Sequence, residues 1–320
     1  MTRRLKSLCW TRLKRIVARS PGIRRRLEFL LERGDEPFFA NGHFYSPVVD
    51  LQDARASADR LWPPAPADTP GLALSPAQHA AFLDEVVRPR VESFGQLCAA
   101  QCADDPLRFP VDNDQFGTMD SLVLHAMIDH ARPRRIVEVG SGFSTLLMRA
   151  TRRALADGAV AIDCIEPYPR AFLRADAMGV GLHDIPVQSA PSSLFTSLEA
   201  GDLLFVDSSH VSKTGSDVNH IVFEILPRLA PGVIVHVHDI FLPFEYPKDW
   251  VIDQRRSWNE QYLLRALLMD SRRYRPLFGA AFAAHACPDA VAAIATALAA
   301  RDIDPQGMAG SSFWMRIESG

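Results

Sequence analysis

The chain has 320 residues, 48% hydrophobic and 23% charged, with a formal net charge of -3. That balance excludes an intrinsically disordered chain, which would be poor in apolar residues or strongly charged. No window reaches the roughly 18 uninterrupted apolar residues of a spanning helix, and the alanine-rich stretch from Ala290 to Ala300 falls well short. The length fits one large domain, or one domain with an extension.

Residues 1 to 33 form a basic leader. They hold eleven Lys or Arg against Glu28 and Glu32, so they carry +9 and leave -12 for the rest. Leu5, Leu13, Ile16, Val17, Ile23, Leu27, Leu30 and Leu31 interleave with the charges, and Pro21-Gly22 divides the segment into two predicted short helices. Arg and Lys interrupt the first apolar residues, which is not the layout of a secretory signal. A basic leader on an acidic body reads as an attachment segment, not a nucleic-acid enzyme, whose whole binding face would be basic. Two readings stay open, a solvated helix pair covering the body and contact with a membrane surface. The expected location is cytoplasmic, with peripheral contact at the inner membrane face through residues 1–33. The five cysteines (Cys9, Cys98, Cys102, Cys164, Cys287) are odd in number and include no Cys-x-x-Cys pair. Two half-buried thiols on one helix, Cys98 and Cys102, and a reducing compartment are the simple expectations.

Residues 36 to 115 are read as an N-terminal extension or lid. A proline-rich stretch, Pro63-Pro64-Ala65-Pro66, precedes a predicted helical run from Pro76 to Ala103, with Ser75 as cap and Pro76 at the first helical position. From 116 to 320 short apolar runs alternate with longer amphipathic ones. Predicted strands are Ile136–Val139, Ala161–Ile165, Ile185–Gln188, Leu203–Val206, Val233–Val237, Tyr274–Phe282 and Phe313–Ile317. Predicted helices are Met119–His130, Ser144–Ala156, Arg170–Met178, Ser193–Leu198, Asp217–Leu229, Asn259–Ser271 and Ala290–Ala300. This alternation implies an α/β fold, with a mostly parallel seven-stranded sheet and helices on both faces. One antiparallel strand is expected at an edge.

Gly140 and Gly142 follow the first strand and precede a helix. This turn lets a ligand approach the backbone and meet a helix amino terminus. A β-carbon at Gly140 is expected to collide with that ligand. Thr145 stands where a dinucleotide fingerprint has its third glycine, which argues against a nicotinamide cofactor. Glu166, at the end of the second strand, can accept hydrogen bonds from both hydroxyls of a ribose.

Val137-Glu138-Val139-Gly140-Ser141-Gly142, Ile165-Glu166-Pro167, Leu204-Phe205-Val206-Asp207-Ser208-Ser209-His210 and Pro231-Gly232-Val233-Ile234-Val235 leading to His238-Asp239 carry a resemblance in order and spacing. The chain resembles the class I S-adenosylmethionine-dependent methyltransferases, and within them a bacterial methyltransferase-domain branch. Phe44-Tyr45-Ser46-Pro47 and Trp258-Asn259-Glu260-Gln261-Tyr262 are also similar to members of that branch. The resemblance covers roughly residues 40 to 320. It implies a Rossmann-like sheet whose last strand is antiparallel. It also implies S-adenosylmethionine as cofactor, with Glu138, Gly140, Ser141 and Gly142 at the methionine part, Glu166 at the ribose, Ser189 near the adenine, and Asp207 lining the site.

Asp207, His210, His236, His238 and Asp239 gather at the ends of the fourth and fifth strands. Catechol-type and caffeoyl-CoA-type O-methyltransferases place a divalent metal in this part of the fold, on an Asp after strand four and an Asp-Asn pair after strand five. The resemblance therefore makes Asp207, His238 and Asp239 candidate metal ligands, with His238 departing from the pattern. A hydrogen-bonded polar cluster explains the same residues equally well. His210 is the candidate base because imidazole titrates near neutral pH, and Lys213 is a second candidate. Phe241, Phe244, Tyr246, Trp258 and Tyr262 either wall an acceptor pocket or pack a lid.

The leading expectation is methyl transfer to a hydroxyl of a small molecule or glycan. The alternatives are a nicotinamide-dependent oxidoreductase or epimerase, a metal-dependent hydroxylase, and a membrane-associated binding module without catalysis. No tyrosine has Lys four residues later, which counts against one oxidoreductase branch. Oligomeric state is not legible.

Overall fold

The computed structural model describes residues 37–65, 69–101, 104–155 and 160–320. The chain divides into two units, Met1–Ala56 and Ser57–Gly320. The leader, Cys9 and Cys102 lie outside the described residues.

Seven strands form one sheet: β1 Arg135–Val139, β2 Ala161–Ile165, β3 Gly181–His183, β4 Leu203–Val206, β5 Ile234–Val237, β6 Tyr274–Gly279 and β7 Phe313–Ile317. Their order is β3-β2-β1-β4-β5-β7-β6. β1 to β5 run parallel, and β7 is antiparallel to both β5 and β6. The antiparallel strand is therefore last in sequence, as expected, but interior to the sheet. The edge belongs to β6. A strand crossing between β5 and β6 gives β5 a covered side and leaves its carboxyl end open.

Side chains alternate across the sheet with the period of two. Ile136, Leu203, Phe205, Ile234 and Trp314 join one core. Val137, Val139, Leu204, Val206, Val235 and Val237 join the other. Helices cover both faces. Thr118–Ala131, Phe143–Ala154 and Pro288–Ala299 pack into the first core, and Leu264 and Leu268 of Glu260–Leu268 pack into the second. The 76–99 run joins the first core through Leu83, Val87, Val91 and Phe94. Among the described residues no single helix is long and apolar enough to cross a membrane.

Several predicted elements are redrawn. The predicted helix from Arg170 to Met178 is two 3-10 turns, Ala171–Arg174 and Asp176–Met178. The third strand is Gly181–His183, not Ile185–Gln188. Pro186 removes a ladder donor there, and Val187–Ser189 curls into a 3-10 turn. Tyr274–Phe282 splits at Gly279 into a strand and the helix Ala280–Ala286. The helices after Pro76 and after Asp217 are not uniform: each widens into a π turn, Leu83–Val87 and Ile221–Ile225, and closes in a 3-10 turn carrying Pro89 or Pro227. A proline cannot donate to the carbonyl four residues back and its ring crowds it, so the preceding turn opens. Ser75 does cap its helix, accepting from Gln78 N. Cys164 and Cys287 are buried free thiols and Cys98 is half-buried.

Candidate active site

Register builds the site. Val139 pairs with Ile165 of β2 and with Val206 of β4, and Val206 pairs with Val237 of β5. The next residues, Gly140, Glu166, Asp207 and His238, therefore stand in one row at the carboxyl ends. Backbone bonds extend the ladder through that row: Gly140 N donates to Ile165 O (3.0 Å), Asp207 N to Val139 O (2.8 Å) and His238 N to Val206 O (2.9 Å). Open parallel sheets bind ligands at this edge.

Two adjoining clefts lie over the row. One, of about 320 Å³, is lined by Gly140, Ser141, Gly142, Phe143, Tyr168 and Asp207 among others. The second, of about 770 Å³, runs toward Asp184, Val187, Gln188 and Lys213. Gly140, Glu166, Tyr168, Asp207 and Ser208 line both.

The two glycines differ. Gly140 has φ +79°, and a β-carbon there would sit 1.8 Å from the Asp207 carbonyl oxygen. The collision is with the neighbouring strand end, not with a ligand as the sequence suggested. A β-carbon on Gly142 meets nothing within 4 Å, so this position leaves room in the cleft.

Glu138 does not line either cleft. It is fully buried, and its carboxylate accepts from Ser144 Oγ (2.7 Å), Thr145 Oγ1 (2.6 Å) and Cys164 Sγ (3.3 Å). Burial pushes its pKa up to about 6 against those hydrogen bonds. It secures the start of the Phe143–Ala154 helix beneath the turn. Thr145 Oγ1 also accepts from Gly142 N (3.1 Å), which gives Thr145 a use where a third glycine would have none. Glu166 accepts from Ser141 N (3.2 Å) and Tyr168 N (2.7 Å). Its partners are backbone amides, so lone pairs remain for a ligand. Ser189 lines neither cleft; its neighbours Val187 and Gln188 do.

The acid–imidazole cluster forms, with a changed membership. His210 Nδ1 is 2.9 Å from Glu260 Oε2, and its Nε2 is 3.3 Å from Asp207 Oδ1 and 3.6 Å from Asp239 Oδ2. Burial alone would lower the His210 pKa, but the carboxylates of Asp207 and Glu260 raise it to about 10. Both ring nitrogens face carboxylates, so a charged His210 holds Asp207 and Glu260 in place, and a base role requires the neutral ring. Burial opposes ionisation of Asp207, but the neighbouring His238 and His210 outweigh it and hold the carboxyl below its ordinary value. Lys213 is exposed and stays on the Gln188 side of the larger cleft, apart from this cluster.

His238 contacts Asp239 Oδ1 at 3.6 Å and Ser311 Oγ at 3.5 Å. His236 is neutral, because burial and then the charge of His238 hold its pKa well below the ordinary value. It stacks on Phe205 at 3.9 Å. His210 and Asp239 both take left-handed backbone, φ +60° and +56°, which turns the chain just past the ends of β4 and β5.

Three donor atoms, from Asp207, His210 and Asp239, lie close enough together to hold a metal ion. The expected set named His238, so His210 replaces it. Metal bonds of about 2.0–2.2 Å bring ligand atoms to about 3 Å of one another, near the spacing seen. The same spacing is satisfied by the His210 proton.

Sequence reasoning missed Glu260, Asp120 and Ser311. Glu260 is buried and also accepts from Ser208 Oγ (3.2 Å). Asp120 accepts from Ser311 N (3.0 Å) and Ser312 N (2.9 Å), and Ser311 Oγ donates to Asp239 Oδ1 (2.9 Å). The one available signal was the Trp258–Tyr262 segment, which contains Glu260 but gave it no role.

A strand-end row with a glycine turn, an acid and a roomy cleft is the ligand-binding edge of an open α/β sheet. A family model described as "Methyltransferase domain" matches residues 137–240. An uncharacterized protein of Archaeoglobus fulgidus is 30% identical over 167 residues, which is 50% of this chain and 74% of the relative. Among solved structures, the Podospora anserina methyltransferase PaMTH1 with bound SAH is 16% identical. The alignment covers 75% of this chain and 94% of that one, with a TM-score of 0.40. The Bacillus cereus O-methyltransferase in complex with SAH is 15% identical, covering 76% and 97%, with a TM-score of 0.37.

Over residues 137–240 the chain therefore carries a methyltransferase domain.

Proposed function

We propose that the chain methylates a hydroxyl oxygen of a small molecule or glycan, with Asp207, His210 and Asp239 on the acceptor side. The observation that carries this reading is the double position of Asp207, which lines both clefts and pairs with His210. Gly140, Ser141 and Gly142 border the part of the cleft suited to the methionine moiety. Glu166 offers lone pairs to ribose hydroxyls, and Val187 and Gln188 border the adenine side. When bound, S-adenosylmethionine supplies a methyl group activated on a positively charged sulfur. The protein must then align the acceptor oxygen and accept its proton. Ionised Asp207 would accept the hydrogen bond of the acceptor hydroxyl and take its proton as the oxygen–methyl bond forms and the sulfur–methyl bond breaks, with His210 fixing that carboxylate. A divalent cation held by Asp207, His210 and Asp239 would instead lower the pKa of the acceptor hydroxyl.

The test is methyl-labelled S-adenosylmethionine offered with hydroxylated acceptors, with and without a chelator. Label in an alkali-stable ether supports the proposal. Loss of turnover on chelation assigns the cluster to a metal, and unchanged turnover assigns it to the proton. Label found only on nitrogen or carbon sinks the O-methyl reading.

We further propose that the N-terminal unit attaches a cytoplasmic enzyme to the inner membrane face. The +9 leader supports this, and so does an aromatic group following it. Phe38, Phe44 and Tyr45 are 93%, 81% and 66% exposed, and their rings contact Phe39 and His43 or one another at 4.2–4.9 Å. Aromatic rings favour the interfacial layer, and basic residues contribute about 1 kcal/mol each at anionic lipid. Co-sedimentation with phosphatidylserine vesicles should disappear on deletion of residues 1–45 and weaken in salt. Equal sedimentation of both proteins would overturn the proposal.

A further inference from the structure

Beside the His210 cluster, the Arg256 guanidinium is flanked by two indoles and has no polar partner among the described residues. Arg256 Cζ lies 4.0 Å from the Trp250 ring centroid and 4.4 Å from that of Trp258. The two indoles are nearly perpendicular, at 84°, so the guanidinium sits in the corner between them. Trp258 in turn packs on His210 at 4.3 Å. A single indole thus links Arg256 to the residue that holds Asp207.

The position is built into the fold. Asn259 N and Glu260 N both donate to the His210 carbonyl, at 3.0 and 3.2 Å. Asn259 Oδ1 accepts from Ser212 N at 2.6 Å, and its Nδ2 donates to Ser212 O at 3.3 Å. Arg256 N donates to Trp250 O (2.9 Å), and Arg255 takes left-handed backbone, φ +59°. The loop is therefore clamped to the end of β4, where the acceptor must lie.

Arg90, Arg134, Arg174 and Arg301 are committed to carboxylates, of Asp129, Glu199, Asp184 and Glu92; Arg255 and Arg272 are unpaired among the described residues but carry no flanking rings. The Arg256 side chain has neither a hydrogen bond nor an ion pair among the described residues, although the chain beyond the leader is acidic. A guanidinium offers five N–H donors in one plane, and two mutually perpendicular indoles can cover one face and one side of it but leave donors over. A planar edge of donors matches an oxyanion with two accessible oxygens.

We propose that Arg256, seated between Trp250 and Trp258, recognises an anionic group on the acceptor, a carboxylate or a phosphate ester. This rests on the acceptor lying against Asp207. The methylated hydroxyl and the anion would then belong to one molecule, spanning Asp207 at one end and Arg256 at the other. A neutral sugar or an unsubstituted phenol would lack half of the recognition.

Tryptophan fluorescence tests the site, because two indoles flank the guanidinium. Wild type, Arg256→Gln and Arg256→Lys are titrated at constant ionic strength with inorganic phosphate, acetate and neutral acetamide, with and without S-adenosylhomocysteine. Wild type should respond saturably to at least one anion and not to acetamide. Arg256→Gln should bind it at least tenfold more weakly at unchanged Tm, and Arg256→Lys should be intermediate. Saturation by phosphate alone assigns a phosphorylated acceptor, and by acetate alone a carboxylated one. No saturation in wild type, or the same curve in Arg256→Gln, overturns the proposal. S-adenosylhomocysteine affinity is measured by calorimetry on the same proteins. Its absence in wild type would strike the functional reading, while the anion titration of the unloaded protein still decides the arginine site.

Discussion

At Gly140–Gly142 and Glu166 the polar contacts are short-range and largely made by backbone. Ser141 N and Tyr168 N hold the Glu166 carboxylate, and Gly142 faces open space. At Asp207–Asp239 the contacts join side chains far apart in the chain. Glu260 reaches back 50 residues to His210, and Asp120 holds Ser311, which holds Asp239. The glycine–Glu166 half, which we assign to the cofactor, is a shape that the chain makes by ending strands in register. The acceptor half is a charge network assembled by tertiary packing. Changes in the first half should therefore act through space, and changes in the second through charge.

The largest effect should come from the glycine that belongs to both halves. Gly140→Ala places a methyl group against the Asp207 carbonyl and requires a left-handed backbone. Backbone on both strands must move, so the loss should exceed about 4 kcal/mol, the range reserved for severe lesions. Thermal melting should show a large fall in Tm or no folded protein. Gly142→Ala is the control that sharpens the contrast: Tm should stay within a degree or two, while S-adenosylhomocysteine affinity falls at least tenfold by calorimetry. If the two variants behaved alike, the contrast between a glycine that fits the fold and one that fits the ligand would be wrong.

Next in size is Glu260→Ala. It leaves His210 with one fewer carboxylate in a buried setting. Breaking a buried ion pair costs about 3–5 kcal/mol, which lowers Tm by on the order of 10 °C in a unit of this size. Cofactor affinity should change far less, since Glu260 lines neither cleft. Glu260→Gln keeps an acceptor for His210 Nδ1–H and should recover part of the stability. It should also shift the His210 imidazole toward neutrality, visible as a lowered pKa in histidine NMR titrations. An unchanged Tm in Glu260→Ala would break the charge-network account.

The same contrast explains what was legible in the sequence. Alternation of apolar runs gave seven strands, because burial on both faces of a parallel sheet leaves near-continuous hydrophobic runs. Ile185–Gln188 was misplaced because its apolar residues serve a 3-10 turn at the cleft, while β3 consists of only Gly181, Leu182 and His183. Gly140, Gly142 and Glu166 were legible because strand end, turn and helix start are contiguous. The partner of His210 was not, since no local pattern links residue 210 to residue 260. The resemblance to an Asp-Asn pair after strand five points to His238-Asp239 as metal ligands, but Asp239 turns through left-handed backbone and its Oδ2 approaches His210. The π turns were invisible as well, although Pro89 and Pro227 mark where each ends.

The smallest expected effect, and the most specific, is at Glu166. Its carboxylate is held by two backbone amides, and Gln keeps one carbonyl oxygen while replacing the other with a donor. Either Ser141 N or Tyr168 N then loses its acceptor, and a ribose hydroxyl that donated to the second oxygen meets an N–H group. One charge-assisted hydrogen bond to a ligand hydroxyl contributes about 1.5–3 kcal/mol, so S-adenosylhomocysteine affinity should fall roughly ten- to a hundredfold. Tm should hardly move, since Glu166 sits at a strand end and is only half-buried. The decisive comparison is with the ligand lacking the ribose, S-adenosylhomocysteine against homocysteine plus adenine. The Glu166→Gln penalty should appear for the intact nucleoside and vanish for the separated pieces. A penalty of equal size for adenine alone would place Glu166 at the base and move the ribose elsewhere along the row.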